Sequence, residues 1–381
     1  MPRWTLSRRQ FGRLVGTSIG AALLAPKLTR SVAEARLPPG VPEDVLQLNS
    51  NENPYGPSLQ ALEAMTQSQR WASRYPGHLE HQVLEAIAQH HGTEPACVIL
   101  GCGSGEILRI ADMAFLAPGK NVVVAEPTFE AVLTYSKVTR AESVKVPLTA
   151  DFRHDLPRMA TACTAQTGLV YLCNPNNPTG TIITREEFAS FLERVPQSTA
   201  VLVDEAYYHF VEDLHCARAC EWIGQTPNVI VVRTFSKVYG MAGMRLGYAV
   251  GAKEAIAAMR EHVLGNNSNA AVLEAALACL ADADLVPRQR KLNNDTRRWL
   301  CNELEKDGYR YIPSEANFVM IELNGEVQPV IAAFRQRKIL VGRQFPSMKN
   351  WLRVSIGKPE EMEAFLLGLR AIAPAVVRQA A

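Results

Sequence analysis

The segment TFSKVYGMAGMRLGY, Thr234 to Tyr248, follows the β-branched run VIVV and gathers a lysine, two hydroxyls and an arginine in one short stretch. A lysine just beyond a buried strand is partly desolvated, which lowers its pKa so that the neutral amine can attack an aldehyde, and Lys237 is so placed. Thr234, Ser236 and Arg245 supply hydroxyls and a guanidinium around the same turn, the donors a phosphate monoester dianion requires. Taken alone, a Ser-Lys pair followed by a basic residue is common and usually structural.

Other segments supply complementary chemistry. VLVDEAYYHF sets Asp204 at the end of an apolar run, where an acid can pair with a protonated pyridine nitrogen or, equally, cap a helix. YLCNPNNPTG builds a rigid Asn/Pro turn in which Asn177 either donates its amide to a phenolic oxygen or belongs to an ordinary loop. GCGSGE, Gly101 to Glu106, lies between a strand-like run and the helical pattern ILRIADMAFL, so the backbone around Ser104 and Gly105 would face a phosphate at a helix N-terminus. It lacks the GxGxxG spacing of a dinucleotide site, and no ribose-binding acid follows about 20 residues on. Phe129, in EPTFEAV after VVVA, can stack on a heteroaromatic ring or fill a core.

The elements that must hold these residues alternate. Val98–Leu100, Val122–Val124, Val170–Leu172, Val201–Val203 and Val229–Val232 are continuous apolar runs separated by helical patterns. They predict an α/β domain with a mostly parallel sheet covered on both faces. Past Val286 the texture changes to a charged helix (Arg288 to Lys306), three short strand patterns at Asn317, Ile339 and Trp351, and an amphipathic helix from Glu360, which predicts a smaller α+β domain. The expected organisation is a leader over 1–35, an arm with part of the small domain over 36–75, the large domain over 76–285 and the small domain over 286–381. In 381 residues, 40 basic and 38 acidic side chains leave a formal charge of +2, a balance that gives nucleic acid no field to bind. The eight cysteines form no CxxC pair, and neither Cys97 with Cys102 nor Cys216 with Cys220 has the second cluster a zinc site needs.

In order, GSGE, PTF, NPNNPTG, DEAY, SK with Arg245 eight residues on, and LRVSIG resemble the class I/II aminotransferases of PLP fold type I. SNENPYGPS near Asn51 and SRYPG at Ser73 to Gly77 bring the resemblance nearest to the histidinol-phosphate aminotransferase branch, and it runs from about Leu46 to Leu369. The resemblance implies pyridoxal 5'-phosphate (PLP) as cofactor, with Lys237 as the Schiff-base lysine that also shuttles a proton. It implies Asp204 on the pyridine nitrogen, Asn177 and Tyr207 on the phenolic oxygen, and Phe129 stacked on the ring, where the branch usually has tyrosine. Ser104, Gly105, Thr234, Ser236 and Arg245 are implied as the phosphate cup, and Tyr75 as a residue reaching the neighbouring subunit's cofactor phosphate in a homodimer. Arg353 is similar to the arginine that clamps the substrate carboxylate, with Asn177 as a further substrate contact, and the resemblance implies a mostly parallel seven-stranded sheet in the large domain. The implied reaction is ping-pong transfer of an amino group from an amino acid, or a histidinol-phosphate-like amine, to a 2-oxo acid.

Two departures bear on the substrate. The arm ahead of NENP reads RLPPGVPED, without the tyrosine that the branch contributes to a substrate phosphate site, and VGRQFP around Arg343 aligns ambiguously. Both lead to the expectation that a phosphorylated donor is not preferred. A PLP-dependent lyase or decarboxylase resembling the threonine-phosphate decarboxylases would use the same Lys237 and ring contacts. A PLP-binding regulator or an inactive structural relative is a third reading; against it, the sequence displays no separate DNA-binding module and no gap in the catalytic set. Finally, SRRQFGR at Ser7 to Arg13, the apolar run LVGTSIGAALLA and Ala33-Glu34-Ala35 resemble a twin-arginine export signal, with Gly12 where a larger apolar residue is usual. This predicts folding in the cytoplasm followed by export to the periplasm through the twin-arginine machinery. A basic amphipathic arm or membrane anchor is the alternative, although Leu14 to Ala25 is shorter than the roughly 20 residues a span requires.

Overall fold

The sheet that carries the site is built from residues whose side chains are buried on both faces. In the computed structural model, which describes residues 44–374, a seven-stranded sheet has the order β2-β8-β7-β6-β5-β3-β4. Its strands are β2 (Val98–Gly101), β3 (Asn121–Glu126), β4 (Glu142–Pro147), β5 (Thr167–Cys173), β6 (Ala200–Asp204), β7 (Val229–Thr234) and β8 (Gly247–Gly251). Leu169, Tyr171 and Cys173 of β5 pack in one core cluster while Val170 and Leu172 pack in another, so alternate residues enter opposite layers and the run reads as uniformly apolar.

The strand β8 pairs antiparallel with both β2 and β7, and the remaining pairs are parallel. The carboxyl ends of β2, β3, β5, β6 and β7 therefore share one edge of the sheet, where ligands of open α/β sheets bind. The sequence reading picked out five strands and passed over β4 and β8. β8 opens and closes on glycine with Val250 as its only β-branched residue, and β4 is an edge strand in which only Val146 is buried, so neither stands out as a central strand.

Helices α1 (Leu59–Gln67), α2 (Gly77–His90), α3 (Ser104–Phe115), α4 (Ala131–Thr139), α5 (Leu156–Ala162), α6 (Arg185–Leu192), α7 (Lys253–Arg260) and α8 (Ala270–Ala281) surround or precede the strands. After them, α9 (Leu285–Lys306) leads to β9 (Tyr311–Ile312), β10 (Phe318–Glu322), α10 (Val327–Gln336), β11 (Ile339–Val341), β12 (Trp351–Ser355) and α11 (Pro359–Ile372). Strand β10 pairs antiparallel with β9 and β12, setting Met320 opposite Arg353. A short strand near the amino end, β1 (Leu46–Leu48), pairs parallel with β11, so the early segment is tied to the C-terminal region. Residues from Val45 onward form one compact unit. The segments read as a leader and its cleavage site lie outside the described residues.

One core residue is out of character. Asp112 on α3 is fully buried beside Ile107, Leu108, Ile110 and Ala111, and among the described residues neither of its carboxyl oxygens has a hydrogen-bond partner. Burial pushes its pKa up to about 8. The folded state therefore holds this proton more tightly than the unfolded chain, whose Asp titrates near about 4. Below that pH both states are protonated and there is no penalty, which grows as pH rises and is complete above about 8. Asp112→Leu is expected to match the parent near pH 4 and to exceed it by a few kcal/mol at pH 8, on the order expected for relieving a buried carboxylate. Denaturant unfolding at the two pH values checks this; equal differences at both would show that Asp112 carries no such penalty.

Candidate active site

The chain passes from β7 into the loop 235–246 and returns as β8, with Thr234 paired to Gly247 and the Phe235 amide donating to the Leu246 carbonyl at 3.0 Å. That register brings the two ends of the loop together, so Arg245 stands beside Ser236, its Nη1 donating to Ser236 Oγ at 3.4 Å and to the Ala242 carbonyl at 2.8 Å. Thr234 Oγ1 donates to Ser236 Oγ at 3.0 Å and accepts from the Ser236 amide at 3.1 Å. Arg245 adopts φ 64°, a left-handed conformation imposed at the turn into β8.

Against this loop stands the N-terminus of α3, which opens with Ser104 and Gly105 after Gly103 at φ 80°. A Cβ on Gly103 would lie 2.1 Å from Arg245 Nη2, and one on Gly247 would lie 2.3 Å from the Ser104 amide nitrogen. Only glycine permits this approach, which closes free amides, hydroxyls and a guanidinium around one cradle. Such a cradle suits a phosphate dianion.

Three residues past β7, Lys237 extends its Nζ to the Ser50 carbonyl at 3.1 Å and lies 5.6 Å from the centre of the Tyr207 ring. Burial, then the nearby Arg353 guanidinium, lowers its pKa to about 8 against the opposing pull of Glu52 and Asp204. A substantial fraction is thus a neutral amine near pH 8, the form that attacks a carbonyl. Asp204 ends β6 and caps no α-helix. Its Oδ2 accepts from the Tyr171 hydroxyl at 3.0 Å and its Oδ1 from the Ala206 amide at 3.1 Å. Burial pushes its carboxyl up to about 6, and these two donors work the other way. A cationic ring nitrogen at this carboxylate would complete its neutralisation.

Asn177, in the turn after β5, donates its Nδ2 to the Tyr207 hydroxyl at 3.3 Å, and its Oδ1 accepts from Arg353 Nη1 at 2.8 Å. Arg353 Nη2 donates to the Asn49 carbonyl at 2.8 Å. Its Nε is buried against Gly342 and has no partner among the described residues, while each Nη uses one of its two N–H groups, so the guanidinium retains donor capacity at its Nη atoms. Burial lowers the pKa of Arg353, and Arg343 adds to the effect. Phe129, partly exposed, forms part of the wall in the loop after β3.

These side chains line one cavity of about 840 Å³, which takes in Ser104, Gly105, Phe129, Asn177, Asp204, Tyr207, Thr234, Ser236, Lys237, Arg245 and Arg353. Tyr75 stands apart: it is 83% exposed and is not among the lining residues. Sequence reasoning missed the segment 49–51. It contributes the two carbonyls just described and the Asn51 side chain, which donates to the Tyr207 hydroxyl at 3.1 Å. The motif SNENPYGPS was visible, but carbonyl acceptors are not encoded in residue type. Tyr171 was read only as part of an apolar strand, and its hydroxyl contact with Asp204 depends on the register between β5 and β6. The cradle, the buried carboxylate and the low-pKa lysine fit PLP.

Known proteins agree. The family described as Aminotransferase class I and II matches residues 43–369. The histidinol-phosphate aminotransferase of Moorella thermoacetica is 37% identical over 87% of this chain and 86% of its own length. The aromatic amino acid aminotransferase of Corynebacterium glutamicum is 38% identical over 86% and 94%. The crystal structure of histidinol-phosphate aminotransferase from Sinorhizobium meliloti in complex with pyridoxal-5'-phosphate superposes with a TM-score of 0.81 at 26% identity, covering 86% of this chain and 90% of that one. The chain belongs to the class I and II aminotransferases and is a PLP-dependent enzyme that transfers amino groups.

Proposed function

We propose that this aminotransferase takes its amino group from an ordinary α-amino acid, whose carboxylate is held by Arg353, and passes it to a 2-oxo acid. The observation that carries this reading is the buried Arg353 guanidinium, in the same cavity as Lys237, with only two of its five N–H groups taken up by described residues. When bound, PLP supplies an aldehyde for primary amines and a cationic ring that accepts the electron pair released at Cα. Lys237 would hold the cofactor covalently through its Nζ and, as a free amine, would move the proton at the substrate Cα. Asp204 would keep the ring nitrogen charged, Asn177 and Tyr207 would bond the phenolic oxygen, and Phe129 would lie against the ring. Ser104, Gly105, Thr234, Ser236 and Arg245 would hold the phosphate.

A second reading has histidinol phosphate as donor. It is supported by the names of several relatives and by Arg343, a further guanidinium lining the cavity beyond Arg353 and the phosphate-cradle Arg245. A panel of donors with purified enzyme separates the two. Turnover of common amino acids with no large preference for histidinol phosphate over histidinol supports the amino-acid reading, whereas a preference of several orders of magnitude for the phosphate overturns it.

The assembly and location complete the proposal. Tyr75, exposed here, would reach the cofactor phosphate of a second copy in a homodimer, an assembly that sedimentation tests. Export follows the twin-arginine route because a folded, cofactor-loaded cargo suits it. With Arg8 and Arg9 replaced by lysine, the precursor should remain in the cytoplasm, and normal processing of that variant would exclude the route.

A further inference from the structure

Phe345 carries two guanidinium groups: Arg353 lies 5.4 Å from its ring centre and Arg343 lies 4.3 Å from it. Arg343, two residues past β11, lines the same cavity, as does Arg335 of α10, and it is the one that shares the Phe345 ring with Arg353. It is already engaged. Its Nη2 donates to the carboxylate of Glu130, and its Nη1 to the Gln344 carbonyl at 3.1 Å. Glu130 directly follows Phe129 and sits at the N-cap of α4, so the ion pair links the ring-stacking wall to the segment after β11.

We propose that Glu130 is a specificity-determining residue that disfavours substrates carrying a second anionic group. A distal carboxylate or phosphate reaching for Arg343 must displace the Glu130 carboxylate and also meets its negative charge. A neutral or aromatic tail does neither. The two side chains are about half exposed, so their pairing is weak in itself and exchangeable. Its effect lies in the choice between ligands. The inference rests on Arg353 holding the α-carboxylate.

The test uses the PLP-loaded parent, Glu130→Gln, Arg343→Gln and the double variant. In each, kcat/KM is measured for L-glutamate and L-phenylalanine, which share the α-carboxylate and differ in the charge of the tail. The ratio of anionic to neutral donor should rise about five- to tenfold in Glu130→Gln, as expected when a competing charge is removed. It should fall in Arg343→Gln, and the double variant should resemble Arg343→Gln. A merely structural role for Glu130 would move both donors together. An unchanged or lower ratio in Glu130→Gln overturns the proposal. Calorimetric binding of succinate and hydrocinnamate to the same four proteins repeats the comparison without turnover. Failure of the parent to process any amino acid would then count against the donor reading, while the binding ratio still decides the role of Glu130.

Discussion

Lys237→Ala is expected to bind PLP only noncovalently and to lose turnover by about four orders of magnitude or more, the scale associated with removing a covalent and proton-transferring group together. Lys237 is the only lysine among the described residues lining the cavity, so no neighbouring amine is placed to replace it. The rest of the site does not depend on this side chain. The cradle of α3 and the 235–246 loop is held by backbone register and by Arg245, and Asp204 is held by Tyr171 and its own turn. The variant should therefore remain folded and retain the cofactor by its phosphate, and circular dichroism with equilibrium dialysis would establish both. Turnover within tenfold of the parent would show that another group performs the chemistry.

Arg353→Ala is the second large effect. The loss in kcat/KM for amino-acid donors should be about 2–4 kcal/mol, roughly thirty- to a thousand-fold, because a substrate carboxylate enters a buried site without its charged partner. Arg353→Lys keeps the charge but not the planar fork, and should recover only part of the loss. Arg353 also donates to Asn177 and to the Asn49 carbonyl. Part of the fall could come from displacement of those groups, so the measurement includes PLP affinity. Intact cofactor binding with lost donor efficiency assigns the effect to the substrate. Both half-reactions should suffer, since donor amino acid and 2-oxo acid each bring a carboxylate to the same guanidinium.

Much of this was legible in the sequence for a simple reason. The central strands are buried on both faces, so β5, β6 and β7 stand out as apolar runs, and the chemistry follows directly at their carboxyl ends as Asn177, Asp204 and Lys237. Reading those ends as a shared edge requires only that the strands be parallel. What stayed hidden depends on contacts between distant segments. The antiparallel β8 opens and closes on glycine, yet its register with β7 is what closes Arg245 onto Ser236. The carbonyls of Asn49 and Ser50 enter the site through the pairing of β1 with β11. Glu130 reads in sequence as an ordinary surface acid at the start of a helix, and its pairing with Arg343 joins residues 213 positions apart.

The central claim is that the Lys237 amine carries the cofactor. Borohydride reduction of the PLP-loaded parent, followed by proteolysis and mass spectrometry, tests it most directly. The account predicts one phosphopyridoxyl-modified residue, Lys237, in the peptide containing Thr234 to Arg245. Modification at a different lysine, or a reduced protein carrying no label while still active, would contradict it.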